Sequence, residues 1–167
     1  MPLARTAIAA ALACCAICGP TLAAPRVMVL DAEVYDTSGE VPSPAHPERL
    51  AALTRTLREK LAESGRFELV APPPPPAGEL PPRIRTCNGC EVDLARAAGA
   101  DLAVTSLVHK VSTLILSITI RVVEAASGKP YLTASADIRG DNDLSWRRGT
   151  EWLARNRLLV ARYPGED

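Results

Sequence analysis

The sequence predicts a layered α+β domain: a mixed sheet of about five strands, in the order β-α-β-α-β-β-β-α, with helices packed on one face. Three observations carry this. The stretch from Asp101 to Asp143 reads as three consecutive strands, the last two of which, from Leu114 on, alternate apolar and wetter faces. Leu50, Leu53, Leu57 and Leu61 recur at helical spacing between a proline and a Ser-Gly stop. The residues between these two regions are punctuated by short apolar runs and by prolines.

At the amino terminus, Arg5 precedes a small and apolar run, Thr6 to Cys18, broken by Gly19-Pro20 and followed by Thr21-Leu22-Ala23-Ala24. This pattern predicts a cleaved secretory signal peptide over 1–24 and a mature protein in the periplasm. The run is too short for a membrane-spanning helix, and no later span is apolar enough for one. Cys14, Cys15 and Cys18 offer acylation sites, but the residues before each fit a lipidation signal poorly, so a lipoprotein is the lesser reading. The remaining chain is expected to form a single domain over 25–163, followed by a polar tail, 164–167.

Whole-chain charge is balanced at 19 basic and 19 acidic residues, and only Arg5 leaves with the signal peptide. Nucleic acid and anionic membrane surfaces call for a basic excess, so neither is the expected partner.

Arg26-Val27-Met28-Val29-Leu30 reads as a first strand ending at Asp31, and Asp36 to His46 as a loop. Pro47 suits the first position of a helix, where its missing N–H costs nothing. The leucine stripe follows, and Ser64-Gly65 stops it. Phe67-Glu68-Leu69-Val70 is a second short strand. The proline-rich stretch 71–86 is expected to run as an extended connector over the surface. Cys87-Asn88-Gly89-Cys90 opens a second helix through Leu94 and Ala98, ended by Gly99. Leu102 to Val111 is apolar enough to be a central strand buried on both faces.

In the next strand Leu114, Leu116, Ile118, Ile120 and Val122 share a face, and in the one after it Leu132, Ala134, Ala136 and Ile138 do. Paired residues of a hairpin share a face, so their numbers must sum to an even value. A loop at Ala126-Ser127-Gly128 satisfies this and places Gly128 at a left-handed position. Asp143 is expected to cap a final helix carrying Trp146 and Trp152, with Gly149 between them allowing close approach to the sheet.

Several residues carry chemistry. Cys87 and Cys90 have the spacing of a dithiol motif at a helix start, where a thiolate is favoured. The intervening Asn-Gly is not a typical oxidoreductase pair. A structural disulfide, a redox pair and a metal site all remain open for them. A metal site would have to recruit the two histidines, His46 and His109, from distant segments. Asp141-Asn142-Asp143 resembles the start of a calcium loop but lacks the glycine and glutamate that follow in one, so turn formation and capping are the expected roles. Arg121, Asp137 and Arg139 fall on one sheet face, either as a recognition surface or as an ordinary solvated face with cross-strand charge pairs. A spacing of six puts Trp146 and Trp152 on different sides of a helix, so one is expected at a contact surface. No triad, phosphate loop or carboxylate pair is discernible, and neither enzymatic activity nor a cofactor is expected.

The motifs Cys87-x-Gly-Cys90, Gly99-Ala-Asp101-Leu, Lys110-Val-Ser112-x-Leu-Ile-Leu116, Ala126-Ser-Gly128-Lys and Arg139-Gly-Asp-Asn-Asp143-x-Ser-Trp146-x-x-Gly149 together resemble a family of uncharacterised secreted bacterial proteins. Its members tend to be encoded near quinoprotein alcohol dehydrogenase systems. The resemblance spans roughly Arg26 to Leu159 and implies no catalytic residue. More distantly, the element order and the phrase Leu57 to Val70 are similar to the amino-terminal domain of TolB and its relatives, which implies a role in envelope assemblies. A periplasmic accessory or interaction domain, with another periplasmic protein as partner, is the expected function. A thiol-disulfide or metal-handling protein using Cys87 and Cys90 is the alternative.

Overall fold

Strand pairing gathers every predicted strand into one mixed sheet in the computed structural model, which describes residues 23–163 apart from 76, 78, 80 and 81. Nearly all of the expected signal peptide and the whole tail, 164–167, lie outside the described residues. The strands are β1 (Arg26–Val29), β2 (Glu33–Asp36), β3 (Glu68–Val70), β4 (Leu102–Lys110), β5 (Ile115–Glu124) and β6 (Pro130–Arg139). The helices are α1 (His46–Glu63), α2 (Cys90–Ala98) and α3 (Asp143–Leu153), with a π-helical turn continuing α3 over Ala154–Leu158. The connector expected to be extended over 71–86 ends instead in a 3₁₀ turn, Ile84–Thr86, and α2 starts at Cys90 rather than Cys87. The sheet runs β3-β1-β4-β5-β6, and β2 also pairs with β4.

The strand that the sequence did not reveal is β2. It is a continuation of β1: both run parallel to β4, β1 beside Leu102–Val104 and β2 beside Leu107–Lys110. The line breaks because the Ala32 N–H donates to Thr54 Oγ1 of α1 (2.9 Å) instead of to a strand. The predicted central strand is β4, and β4-β5-β6 form the expected antiparallel meander.

Leu53, Leu57 and Leu61 are buried against Val27, Val29, Val104, Ile118 and Ile120, and α3 adds Trp146 and Leu153 to the same core. Burial of each leucine is worth about 1.5–3 kcal/mol, which accounts for α1 lying flat on the sheet without a side-chain N-cap. Gly149 sits against Ile138 and Ile118; a Cβ there would come within 2.6 Å of Ile138 Cγ2.

Helices do not all share that face. Met28, Leu30, Ala95, Ala100, Ala103 and Ala125 form a second, smaller core, so α2 lies on the opposite side of the sheet. Residues 27–30 and 102–104 alternate between the two cores, which is why this corner reads as continuously apolar.

The hairpin register obeys the expected parity: Ile120 pairs with Ala134 and Leu116 with Ile138. Gly128 is left-handed, at φ +70°. The turn is wider than Ala126–Gly128, however. A bulge between Val122 and Val123 shifts the register, so Val123 pairs with Pro130 and Glu124 N–H reaches Lys129 O at 3.0 Å. The cap of α3 is Asn142, not Asp143; its Oδ1 accepts from Ser145 N–H at 3.0 Å.

Candidate functional site: polar clusters, the disulfide turn and the open sheet face

Alternation along β4 sends His109 to the open face and Lys110 to the core face. Lys110 is 2% exposed, unusual for a lysine. Its Nζ donates to Ser38 Oγ (2.7 Å), Glu40 Oε2 (2.8 Å) and Asp36 Oδ2 (3.1 Å), so all three ammonium hydrogens are used. Glu40 also accepts from Thr113 Oγ1 at 2.5 Å. The hydrogen bond from Lys110, with those from Thr113, holds the Glu40 carboxyl down at about 2. Hydrogen bonds from Ser38, then Lys110, hold Asp36 at about 2 as well. In return Glu40, then Asp36, raise the Lys110 ammonium against a burial that opposes its charge. The cluster pins residues 36–40 to the β4-β5 turn.

A second polar hub lies where α1 begins and β6 ends. Asp141, 4% exposed at its side chain, accepts from Arg49 Nη1 at 2.8 Å and Trp146 Nε1 at 3.0 Å. Its other oxygen lies 2.7 Å from His46 Nε2. Arg49 Nε reaches Asp143 at 2.7 Å, and the His46 and Trp146 rings stack. The carboxylate that resembled a calcium ligand is thus surrounded by hydrogen-bond donors. Sequence distance hid this hub: His46 and Asp141 are 95 positions apart.

Cys87 and Cys90 are joined by a disulfide at the entrance to α2. Their sulfurs and a Glu91 carboxylate oxygen lie within 4.8 Å of one another, and neither histidine joins them. His46 is committed to Asp141. His109 stacks on Tyr35, with Nε2 2.9 Å from Thr37 Oγ1, and Tyr35 in turn lies under Arg85. Glu33 accepts from the Ile84 and Arg85 amides (2.6 and 3.1 Å), tying the end of the proline-rich connector to β2.

On the open face the register rules out cross-strand charge pairs. Arg121 faces Thr133, Asp137 faces Ser117 and Arg139 faces Ile115. Arg121 turns instead to the buried Glu91 of α2, at 3.3 Å. Trp146 is 2% exposed and cannot belong to a surface, because its ring fills the space between α1 and β6. Trp152, on the other side of α3, is 41% exposed with Arg157 over its ring.

The remaining surface of the described residues holds several grooves, two of them beside α3, and an apolar rim. One groove, about 650 Å³, runs between α1 and α3 and is lined by Arg49, Arg55, Glu59, Leu144, Arg147 and Glu151 among others. The second follows β6 beside Gly149 and Trp152. At the end of the sheet Val41 (90% exposed), Leu114 (70%), Val111, Ile115 and Leu144 stand in water. Thr113–Glu40 and Asp141–Thr113 hydrogen bonds bring their segments together.

These features define a layered α+β domain whose buried charges are engaged with one another. The chain belongs to the family DUF3280, described as a protein of unknown function (DUF2380), whose model matches residues 25–158. No curated protein matches it. Among solved structures, the PelC dodecamer from Paraburkholderia phytofirmans is similar at TM-score 0.51 and 16% identity, over 85% of this chain and 91% of that one. The LpoB C-terminal domain from Salmonella enterica is similar at TM-score 0.50 and 17% identity, over 70% of this chain and 84% of that one. TolB from Acinetobacter baumannii is a looser likeness, with TM-score 0.41 and 14% identity over 80% of this chain and 29% of that one. At these identities the likeness is one of fold. Among the described residues no helix is long and apolar enough to cross a membrane.

Proposed function

We propose that this protein is a periplasmic interaction domain that docks another envelope protein. The carrying observation is the rim of Val41, Val111, Leu114, Ile115 and Leu144 at one end of the sheet. Apolar side chains gathered at a tip, on segments fastened by the Lys110 and Asp141 clusters, suit a preorganised contact surface. The export signal read in residues 1–24 supports the compartment. The motif resemblance around Cys87–Cys90 and Arg139–Gly149 supports a partner from a quinoprotein alcohol-oxidation system. The TolB-like element order supports an envelope assembly instead.

Photo-cross-linkers placed in living cells at Leu114, at Arg55 in the α1–α3 groove, and at Ser135 on β6 test the reading. The same envelope protein should be captured from Leu114 in repeated experiments. Absence of any adduct from all these positions, with the protein present in the periplasmic fraction, would sink it. Loss of alcohol oxidation on deletion selects the quinoprotein system; unchanged oxidation removes that choice.

A further inference from the structure

Among the described residues the outer edge of β6 is unpaired. Gly140 N–H donates to Leu114 O (3.1 Å), which fixes the alternation of the antiparallel ladder: even-numbered residues of β6 bond to β5, and odd-numbered ones point outward. The outward N–H and C=O groups of Thr133, Ser135 and Asp137 make no hydrogen bond among the described residues, and Arg139 O is taken by Ser145 Oγ. Natural edges are blunted by proline, bulges or a covering element. Here Pro130 and the bulge both lie at the start of the strand. From Thr133 to Asp137 no proline, bulge or covering element among the described residues blunts it, and all three odd residues are exposed.

The edge opens onto the groove lined by Ser135, Asp137, Arg139, Arg148, Gly149 and Trp152. α3 approaches β6 over its core face at Gly149, so it walls the groove without crossing the edge. The Arg139 and Arg148 side chains line the groove, are exposed, and have no hydrogen bond or ion pair among the described residues. Among the described residues Asp137 is the only acidic one in the lining.

We propose that an extended acidic segment of the partner protein adds to β6 as a further strand, resting on the interaction reading above. Its backbone would pair with Thr133, Ser135 and Asp137. Its alternate side chains would fall on opposite faces of the sheet: carboxylates on the open face would meet Arg139, and apolar ones on the α3 side would lie on Trp152, with Arg148 one helical turn away adding positive charge to the groove. A second copy of β6 is less favoured by charge: it carries one aspartate and one arginine, Asp137 and Arg139, and so brings no net negative charge to the groove.

The probe is a ten-residue peptide alternating valine and glutamate, compared with one alternating valine and lysine. The readout is amide hydrogen exchange of the purified mature protein. The glutamate peptide should slow exchange at Thr133, Ser135 and Asp137 by about tenfold or more and leave Ala134 and Ala136, already bonded to β5, unchanged. The lysine peptide should not. Arg139→Glu with Arg148→Glu, both exposed and unpaired, should reverse the preference without disturbing the fold. Ser135→Pro removes one outward N–H while sparing the β5 ladder, and should abolish protection by either peptide. Protection by neither peptide overturns the proposal, as does equal protection by both. Concentration-dependent protection without peptide also overturns it, because the edge would then be occupied by a second copy. Cross-linking separates this from failure of the wider reading. Adducts from Leu114 with none from Ser135 overturn the edge site alone.

Discussion

At the scale of single residues, the instructive ones are polar groups on an oily face. In β4 the core-facing positions run Leu102, Val104, Ser106, Val108, Lys110. The strand was legible as an apolar run; which of the adjacent His109 and Lys110 lay inside was not, because the answer depends on where β5 turns back. Once the register is known, a lysine in line with Val104 and Val108 demands carboxylate partners, and Asp36 and Glu40 provide them. Ser106 is the contrast. Its hydroxyl is buried with no hydrogen-bond partner among the described residues. Leaving a buried hydroxyl unsatisfied costs about 1–3 kcal/mol, so Ser106→Ala should leave stability unchanged or raise it by about 1 kcal/mol. Urea unfolding followed by circular dichroism checks this; a clear loss would mean that the hydroxyl has a partner in solution.

At the scale of elements, helices and strands were readable from period and punctuation, but their faces were not. The leucine stripe identified α1, and Gly99 ended α2. Nothing local told α2 to cover the opposite face, because its contacts are alanines whose partners lie in β1 and β4. The tryptophans behaved as helical geometry requires, one inward and one outward, yet which was which depended on Asp141. That carboxylate fastens α1 to α3 through Arg49, His46 and Trp146. Asp141→Ala would leave the largely buried Arg49 and His46 without their shared partner and should cost about 3 kcal/mol or more. The Trp146 indole N–H should then exchange faster, which distinguishes loss of the hub from a general loosening. Gly149 marks the other contact of α3. Gly149→Ala gains about 1 kcal/mol of helix propensity but drives a methyl into Ile138. The overpacking of about 1–3 kcal/mol should outweigh or at best cancel that gain, lowering or leaving unchanged the urea midpoint.

For the whole molecule, the sheet joins a fastened end to a pH-sensitive fastening. Residues 36–40 reach the β4-β5 turn through Lys110 and Thr113, and the start of α1 meets the end of β6 a few residues further on. Asp36 and Glu40 sit at about 2 in the folded protein, below their ordinary values of 3.8 and 4.5. A carboxylate with a depressed folded value contributes stability that is complete above its unfolded value and is lost as pH falls through the folded one. Stability should therefore be level from pH 7 to about 5 on this account and fall between about pH 4.5 and 2. Lys110→Met separates the contributions. The Glu40 depression rests first on the Lys110 hydrogen bond, whereas that of Asp36 rests first on Ser38. The variant should lower the melting temperature at pH 7 by a few degrees, since the half-exposed Glu40 can regain water. Its acid slope should be shallower than that of the parent but not flat, because Ser38 still holds Asp36. Urea midpoints of both proteins at pH 7, 4.5, 3 and 2.5 give the comparison. Parallel pH profiles would show that Lys110 acts as filling rather than as the charge that fastens this end of the sheet.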